Sequence, residues 1–329
     1  MFPWAVNLTT NHSNNQDYDF LLLGLPGLHD SQRLFFAPFF LMFLVSLLGN
    51  VTVILVIATE QSLWEPMYYI ISILCLTDLI AAFTLLPQLL VILWLGEYSV
   101  YCKLCFVQVF FIYFTGIMES SVLVLMSYDR YIAVCNPLRY AAIVTNTFIV
   151  KGSLVVIVRS FCVALSTTTF ASLLSYCTVS AVHNVYCEPT SIISMACPHT
   201  YFTDNIGYFI ICLIGIPDIT LIGLSYYMIL RAALRLKSAD AKQKAFSTCS
   251  SHVFVMLAFY LPGVLSTLTS IFENKIPAYV RVLLSVLYVA SPPFLNPLIY
   301  GIKTKQIRQV ILKHLRKTYR LWYCMTLFY

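Results

Sequence analysis

Charge is scarce in this chain. Asp, Glu, Lys and Arg together make up 10% of its 329 residues, against about 25% in an average soluble domain. So few charges cannot clothe a folded core in solvated groups, and a mean hydropathy of +0.82 agrees. A soluble two-domain enzyme is excluded and a polytopic membrane protein is expected. Other absences narrow the class. The patterns HExxH and GxSxG, which carry zinc hydrolysis and a serine nucleophile, do not occur. No pair of inverted repeats with helices broken in matching places is visible, which argues against a transporter. No enzymatic activity and no nucleic-acid partner are expected. Residues 1–33 lack a basic start followed by an apolar core, so the first apolar segment is expected to act as its own insertion signal.

What is present is apolar length. Seven segments are long enough to cross a bilayer as helix, which takes roughly 20 residues. They run near Leu34–Ala58, Met67–Leu95, Cys105–Val134, Phe148–Leu173, Asn205–Leu230, Phe246–Ile271 and Tyr279–Gly301. Helix is required because backbone amides in lipid must be satisfied within the segment, and the alternation of a membrane barrel is missing. The expected fold is an all-α membrane protein: a seven-transmembrane helix bundle over 34–301, an outer tail over 1–33, and a short amphipathic eighth helix and tail over 302–329. Basic residues orient it. Fifteen of the twenty Lys and Arg lie on the side holding Arg130, Arg139, the run Lys237–Lys244 and Lys303–Arg320, so that side is inside and the N-terminus outside. The loop Thr59–Glu65 has no basic residue but is outvoted. Asn7 and Asn11 begin glycosylation sequons in the outer tail. The sequon at Asn50 lies inside the membrane and is discounted.

Of eleven cysteines, Cys75, Cys135, Cys162, Cys212 and Cys249 sit in apolar segments and read as small core residues. Cys102, Cys105, Cys177, Cys187 and Cys197 fall on the oxidising outer face and read as a stapled loop rather than a metal site. Spacing alone leaves their pairing open. Ionisable residues at membrane depth are rare and usually functional. Asp78, Glu119, Asp129, Arg130 and Asp218 are such residues. Glu119 lies about 16 Å outward of Arg130 along one helix. Two carboxylates at the depth of Asp78 and Glu119 cannot both stay ionised without a cation or a proton. One reading is a small internal cation, sodium, with Asn50, Ser120 and Asn296 as neutral oxygen ligands. The other is protonated acids hydrogen-bonded to polar neighbours.

The motifs converge on one family. Gly49-Asn50, Leu76-Thr77-Asp78-Leu79 and the stretch MSYDRYIAVCNPLRY (126–140) resemble the rhodopsin-like receptors coupled to G proteins. The last is close to the signature of vertebrate olfactory receptors. Ser225-Tyr226, the stretch KAFSTCSSH (244–252) and PFLNPLIY (293–300) are similar to the same family, while LGLPGL (23–28) and Asp218 resemble its class I, fish-like branch. The resemblance covers Leu21 to Lys317. It implies an odorant receptor acting through a stimulatory, olfactory-type G protein at the plasma membrane, with rises in cyclic AMP. The alternatives are a non-olfactory rhodopsin-like receptor for another small molecule, or a transporter.

The resemblance also implies residue roles. Cys105 would pair with Cys187, and Cys177 with Cys197, leaving Cys102 over. Arg130 would be held by Asp129 and by inner-end groups of the sixth segment, then released when that segment swings outward, a two-state latch. Tyr131 completes that motif. Tyr226 and Tyr300 would stabilise the open form. Asn296 and Pro297 belong to the seventh-segment motif. Lys244 and its basic neighbours, with the amphipathic 303–317 stretch, would face anionic lipid and the G protein, and Cys324 is a candidate palmitoylation site. Pro262 is expected to be the pivot of the sixth segment, with Pro217 a second break in the fifth. The ligand would lie between the outer halves of the helices, against Gln108, Ile112, Tyr113, Gly116, Ile211, Tyr260, Val264 and Thr267, with Thr190 as a cap. Val107–Ile117 has no acid and Val253–Phe272 no basic residue, so neither an amine held on the third segment nor an acid held on the sixth is expected.

Overall fold

The computed structural model describes residues 19–28, 31–176, 181–182, 184–196, 209, 211–236, 238–272, 275–314 and 316; for 181, 211, 241, 244, 245, 247 and 248 it describes the backbone alone. Asn7, Asn11, Cys177, Cys197 and Cys324 lie outside the described residues.

Among these residues seven helices are long and apolar enough to cross a membrane. Their regular parts are α1 (Phe36–Thr59), α2 (Pro66–Leu95), α3 (Cys102–Cys135), α4 (Asn146–Ser172), α5 (Ile216–Arg235), α6 (Ala239–Ile271) and α7 (Ala278–Lys303). An eighth, α8, covers 305–314. Local signals set several ends. Pro66 opens α2, where its missing N–H costs nothing. The Thr145 hydroxyl accepts from the Phe148 N–H and caps α4. Hydroxyls on the helices bond their own backbone: Thr52, Thr84 and Thr220 each donate to the carbonyl four residues back. Thr52 and Thr220 are exposed and Thr84 half-buried, where lipid offers no other partner.

α3 is the central element, packed against α2, α4, α5 and α6. α7 closes the ring against α1, α2 and α6. Close approach of α1 to α7 needs Gly49, because a Cβ there would sit 2.9 Å from the Pro297 ring. Before α5 the chain makes a π turn, Ile211–Gly215, and Pro217 lies in the first turn of the regular helix that follows. The wider turn accommodates a residue without an N–H. α6 begins seven residues earlier than hydropathy indicates, so part of the basic 237–244 run is helical. On α8, Ile307 and Val310 are buried against the inner core cluster, while Lys305, Arg308 and Lys313 are exposed. Lys313 also donates to Glu60 at 3.2 Å.

The outer end holds a feature absent from the sequence reading. Strand β1 (Asp19–Leu22) pairs antiparallel with β2 (Tyr98–Tyr101) and parallel with β3 (Ala181–Val182), in the order β2-β1-β3. Phe20, Leu22 and Leu25 are fully buried in the outer core cluster. The Phe20 ring stands edge-on to Phe106 and Tyr176. The segment from Asp19 on is therefore part of the receptor body, which corrects the expected tail over 1–33. LGLPGL is the turn that makes this possible. Gly24 has φ +78, and a Cβ there would lie 2.7 Å from Gln32 Oε1 and 2.9 Å from the Gly96 carbonyl. Buried Gln32 then accepts from the Leu25 N–H and donates to the Ile92 carbonyl.

Candidate functional site

Three polar clusters lie at different depths along the bundle. The inner one is built on the last turns of α3. Asp129 is buried and Arg130 half-buried, with Nε 3.5 Å from Asp129 Oδ2. Neither of these two atoms has a hydrogen-bond partner. The other Asp129 oxygen accepts from the Tyr140 hydroxyl at 2.7 Å. Among the described residues the buried Tyr226 hydroxyl has no hydrogen-bond partner, and the Tyr300 hydroxyl donates to the Met126 sulfur at 3.8 Å. Tyr131 lies tilted against Tyr128, with ring centroids 6.2 Å apart. The Lys244 side chain lies outside the described set. Just beyond, Pro137–Arg139 forms a 3-10 turn that leaves Leu138 100% exposed. The sequence reading passed over Leu138, although an apolar residue between Pro and Arg was its signal.

The middle cluster joins α1, α2, α3 and α7. Asn296 is buried and its amide donates to both oxygens of Asp78, at 3.1 and 3.2 Å, and to Glu119 at 3.3 Å. Asn50 donates to the Ser46 and Pro293 carbonyls. The Oδ1 atoms of Asn50 and Asn296 are both buried without a donor. Among the described residues no group of three or more His, Cys, Asp or Glu converges. Ser120 does not join this cluster, which corrects its expected place as an oxygen ligand. Its hydroxyl donates to Asp218 at 2.7 Å and meets the Tyr260 hydroxyl at 3.0 Å.

That bond belongs to a third network, across α3, α4, α5 and α6. Arg159 of α4 pairs with Asp218 of α5 at 2.9 Å and donates to Ser121 at 2.7 Å. Asp218 is buried and Arg159 half-buried. The sequence reading placed Asp218 in the membrane but gave it no partner. Two ionisable groups of opposite sign in neighbouring helices were the available signal.

The outer region holds the expected ligand residues, with changes. Ile112 and Tyr113 are half-buried against the outer cluster. Tyr260 and Thr267 lie on the inward side of α6 with Gly263, and the Thr267 hydroxyl bonds the Gly263 carbonyl. Val264 is 50% exposed and shares the outward stripe of α6 with Leu257, Leu261, Leu265 and Leu268. Gln108 is turned to structure, not to the pocket. Its amide donates to Thr84 and Gln88 of α2, and its oxygen accepts from the Cys187 N–H. Thr190 is exposed and bonded to Glu188, which caps the short helix Pro189–Ile193. Gly116 faces the Tyr288 hydroxyl, 3.9 Å from where its Cβ would be. The Ile211 side chain lies outside the described set. Cys105 and Cys187 form a disulfide that ties α3 to the outer loop. A bridge between Tyr176 and Ala196 brings the flanks of Cys177 and Cys197 side by side.

A sequence profile described as "Olfactory receptor" matches residues 39–318. Human olfactory receptor 52J3 is 42% identical over 294 residues, 89% of this chain and 94% of the relative. Human olfactory receptor 52B2 is 38% identical over 305 residues, 93% of this chain and 94% of its own length. Human olfactory receptor 52R1 is 37% identical over 300 residues. With a family profile spanning most of the chain, relatives above the one-third identity level along nearly their whole length, and seven membrane helices around a buried Asp129–Arg130 pair, the chain belongs to the olfactory receptor family of G-protein-coupled receptors.

Proposed function

We propose that this receptor takes a small organic odorant into the outer half of its bundle. It then drives nucleotide exchange on a stimulatory, olfactory-type heterotrimeric G protein and raises cyclic AMP at the plasma membrane. The observation that carries the reading is the inner pair: Arg130 and Asp129 face each other at 3.5 Å with no hydrogen bond between the facing atoms. With Asp129 buried and the facing atoms not hydrogen-bonded, the pair is held by charge alone and lacks the directional bonds that would lock it. A small shift of α6 then suffices to free the arginine. Tyr226, whose hydroxyl is unpartnered among the described residues, would take part in the open form.

The ligand's chemistry follows from the lining. Ile112, Tyr113, Tyr260 and Thr267 offer apolar surface with scattered hydroxyls. Val107–Ile117 has no acid and Val253–Phe272 no base. Such a pocket suits a sparingly soluble neutral molecule with one polar group.

An internal sodium ion belongs to the same proposal. Asp78, Glu119 and the two unpartnered Oδ1 atoms of Asn50 and Asn296 are oxygen atoms able to ligate a cation. A bound cation would supply the missing positive charge. Without Ser120, these four residues are the ones that would hold it.

The test is a cyclic AMP assay in cells displaying the receptor, against a panel of alcohols, aldehydes, ketones, acids and amines. At least one neutral compound should give a saturable response, abolished in Arg130→Ala at equal surface level. Uptake of a compound with no G-protein response would overturn the reading.

A further inference from the structure

The seventh helix carries a contact to the sixth that none of the expected motifs includes. Pro262 lies inside α6 and has no N–H to give the carbonyl four residues back, that of Ala258. That carbonyl is not left bare. The Ser291 hydroxyl of α7 donates to it at 3.2 Å. One turn away on the same face of α7, Tyr288 fills a second gap. A Cβ on Gly263 would stand 2.8 Å from Tyr288 Cε2 and 3.1 Å from Cδ2. Gly263 needs no positive φ, so the space, not the backbone, explains the glycine. In a helix interior glycine costs about 1 kcal/mol relative to alanine, and the seated ring gives that cost a reason. Phe259, four residues before Gly263, lies against the same ring at 5.7 Å. On the opposite side the Tyr288 hydroxyl faces Gly116 of α3, one turn from Glu119.

From this geometry we infer that Tyr288 and Ser291 form a clasp that holds the Pro262 break of α6 closed, and that an odorant opens the receptor by moving Tyr288 out of the Gly263 notch. The inference rests on the receptor reading above and deepens it: Tyr288 is a positioning residue between pocket and hinge. Its ring borders α3 at Gly116 and α6 at Gly263, so a molecule lying between those helices cannot avoid it. Ser291 acts at the hinge itself, by occupying the acceptor that proline orphans. Both contacts favour the closed arrangement, so loosening either shifts the population toward the open one.

Basal cyclic AMP per surface receptor tests this without a known ligand. Ser291→Ala removes one hydroxyl and should raise basal signalling about two- to fivefold. Gly263→Ala puts a methyl where the ring sits and should raise it likewise. The decisive arm is Ser291→Ala in a Pro262→Ala background. There the restored N–H reclaims the Ala258 carbonyl, so loss of the serine should have no further effect. A purely structural role for Ser291 would give the same loss in either background. If Ser291→Ala reaches the surface with wild-type basal activity, the clasp is overturned, even should Gly263→Ala fail to fold. It is also overturned if Ser291→Ala acts equally in both backgrounds. Arg130→Ala is the control in every background. Its silence alongside an inert Ser291→Ala sinks the clasp alone, whereas signalling that survives Arg130→Ala sinks the receptor reading with it.

Discussion

Asp218→Ala should be among the most damaging single changes outside the signalling motifs. Asp218 is buried, and its carboxylate holds Arg159 at 2.9 Å and accepts from Ser120 at 2.7 Å. Removing it leaves a guanidinium on α4 with only Ser121 in reach, at 2.7 Å, inside the membrane. Breaking one side of a buried pair costs about 3–5 kcal/mol, because a charge is left without compensation. Arg159 is 32% exposed at the middle of α4, where the exposure is to lipid and not to water, so the full range applies. Against a net stability of about 5–15 kcal/mol, this removes a large share. Surface display should fall several-fold, and the melting temperature in detergent by on the order of 10 °C. Replacing both charges, as Arg159→Met with Asp218→Leu, should recover most of the loss, since no unpaired charge remains. A double-mutant cycle on melting temperature measures the difference. If Asp218→Ala matches wild type, or if the double mutant is as unstable as the sum of the singles, the pair does not carry the energy assigned to it.

Three further outcomes follow from single contacts. Gly24→Ala should cost about 1–3 kcal/mol through strain at φ +78, besides its clash with Gln32 and the Gly96 carbonyl; surface staining should drop, and undiminished staining would refute the role of the outer sheet. Cys187→Ser opens a link across 82 residues and should destabilise by about 2–5 kcal/mol, read as lost surface receptor and protease sensitivity of the outer loop. Leu138→Asp should leave surface level and thermal stability unchanged, because the side chain is 100% exposed. It should reduce G-protein activation by about tenfold, the scale of an interface hot spot; equal activation would remove Leu138 from the contact.

The seven spans were readable because each is a long apolar run, and hydropathy is the signal lipid imposes. The start of α6 was missed because its first turns, from Ala239, are basic and leave the apolar zone. The outer sheet was invisible because its strands are four, four and two residues long and join segments about 80 and about 160 residues apart. Such pairing leaves no periodicity. The Asp129–Arg130 pair and the Asp78–Asn296–Glu119 cluster were legible as charges and amides at matching depths. Gln108 was read as a ligand contact because an amide near the outer pocket fits that role; its partners lie on α2 and the outer loop, which one helix cannot announce. Tyr288 was missed for the same reason. Its meaning comes from two glycines on other helices, Gly116 and Gly263.

The central claim is that Arg130 is a releasable latch through which occupancy of the outer pocket reaches a G protein. The direct measurement is guanine-nucleotide exchange on the stimulatory G protein by purified receptor in lipid nanodiscs, with and without a compound active on cells. Exchange should rise with the compound in wild type and stay at the G-protein-alone rate in Arg130→Ala. Equal stimulated exchange by the two proteins would contradict the account.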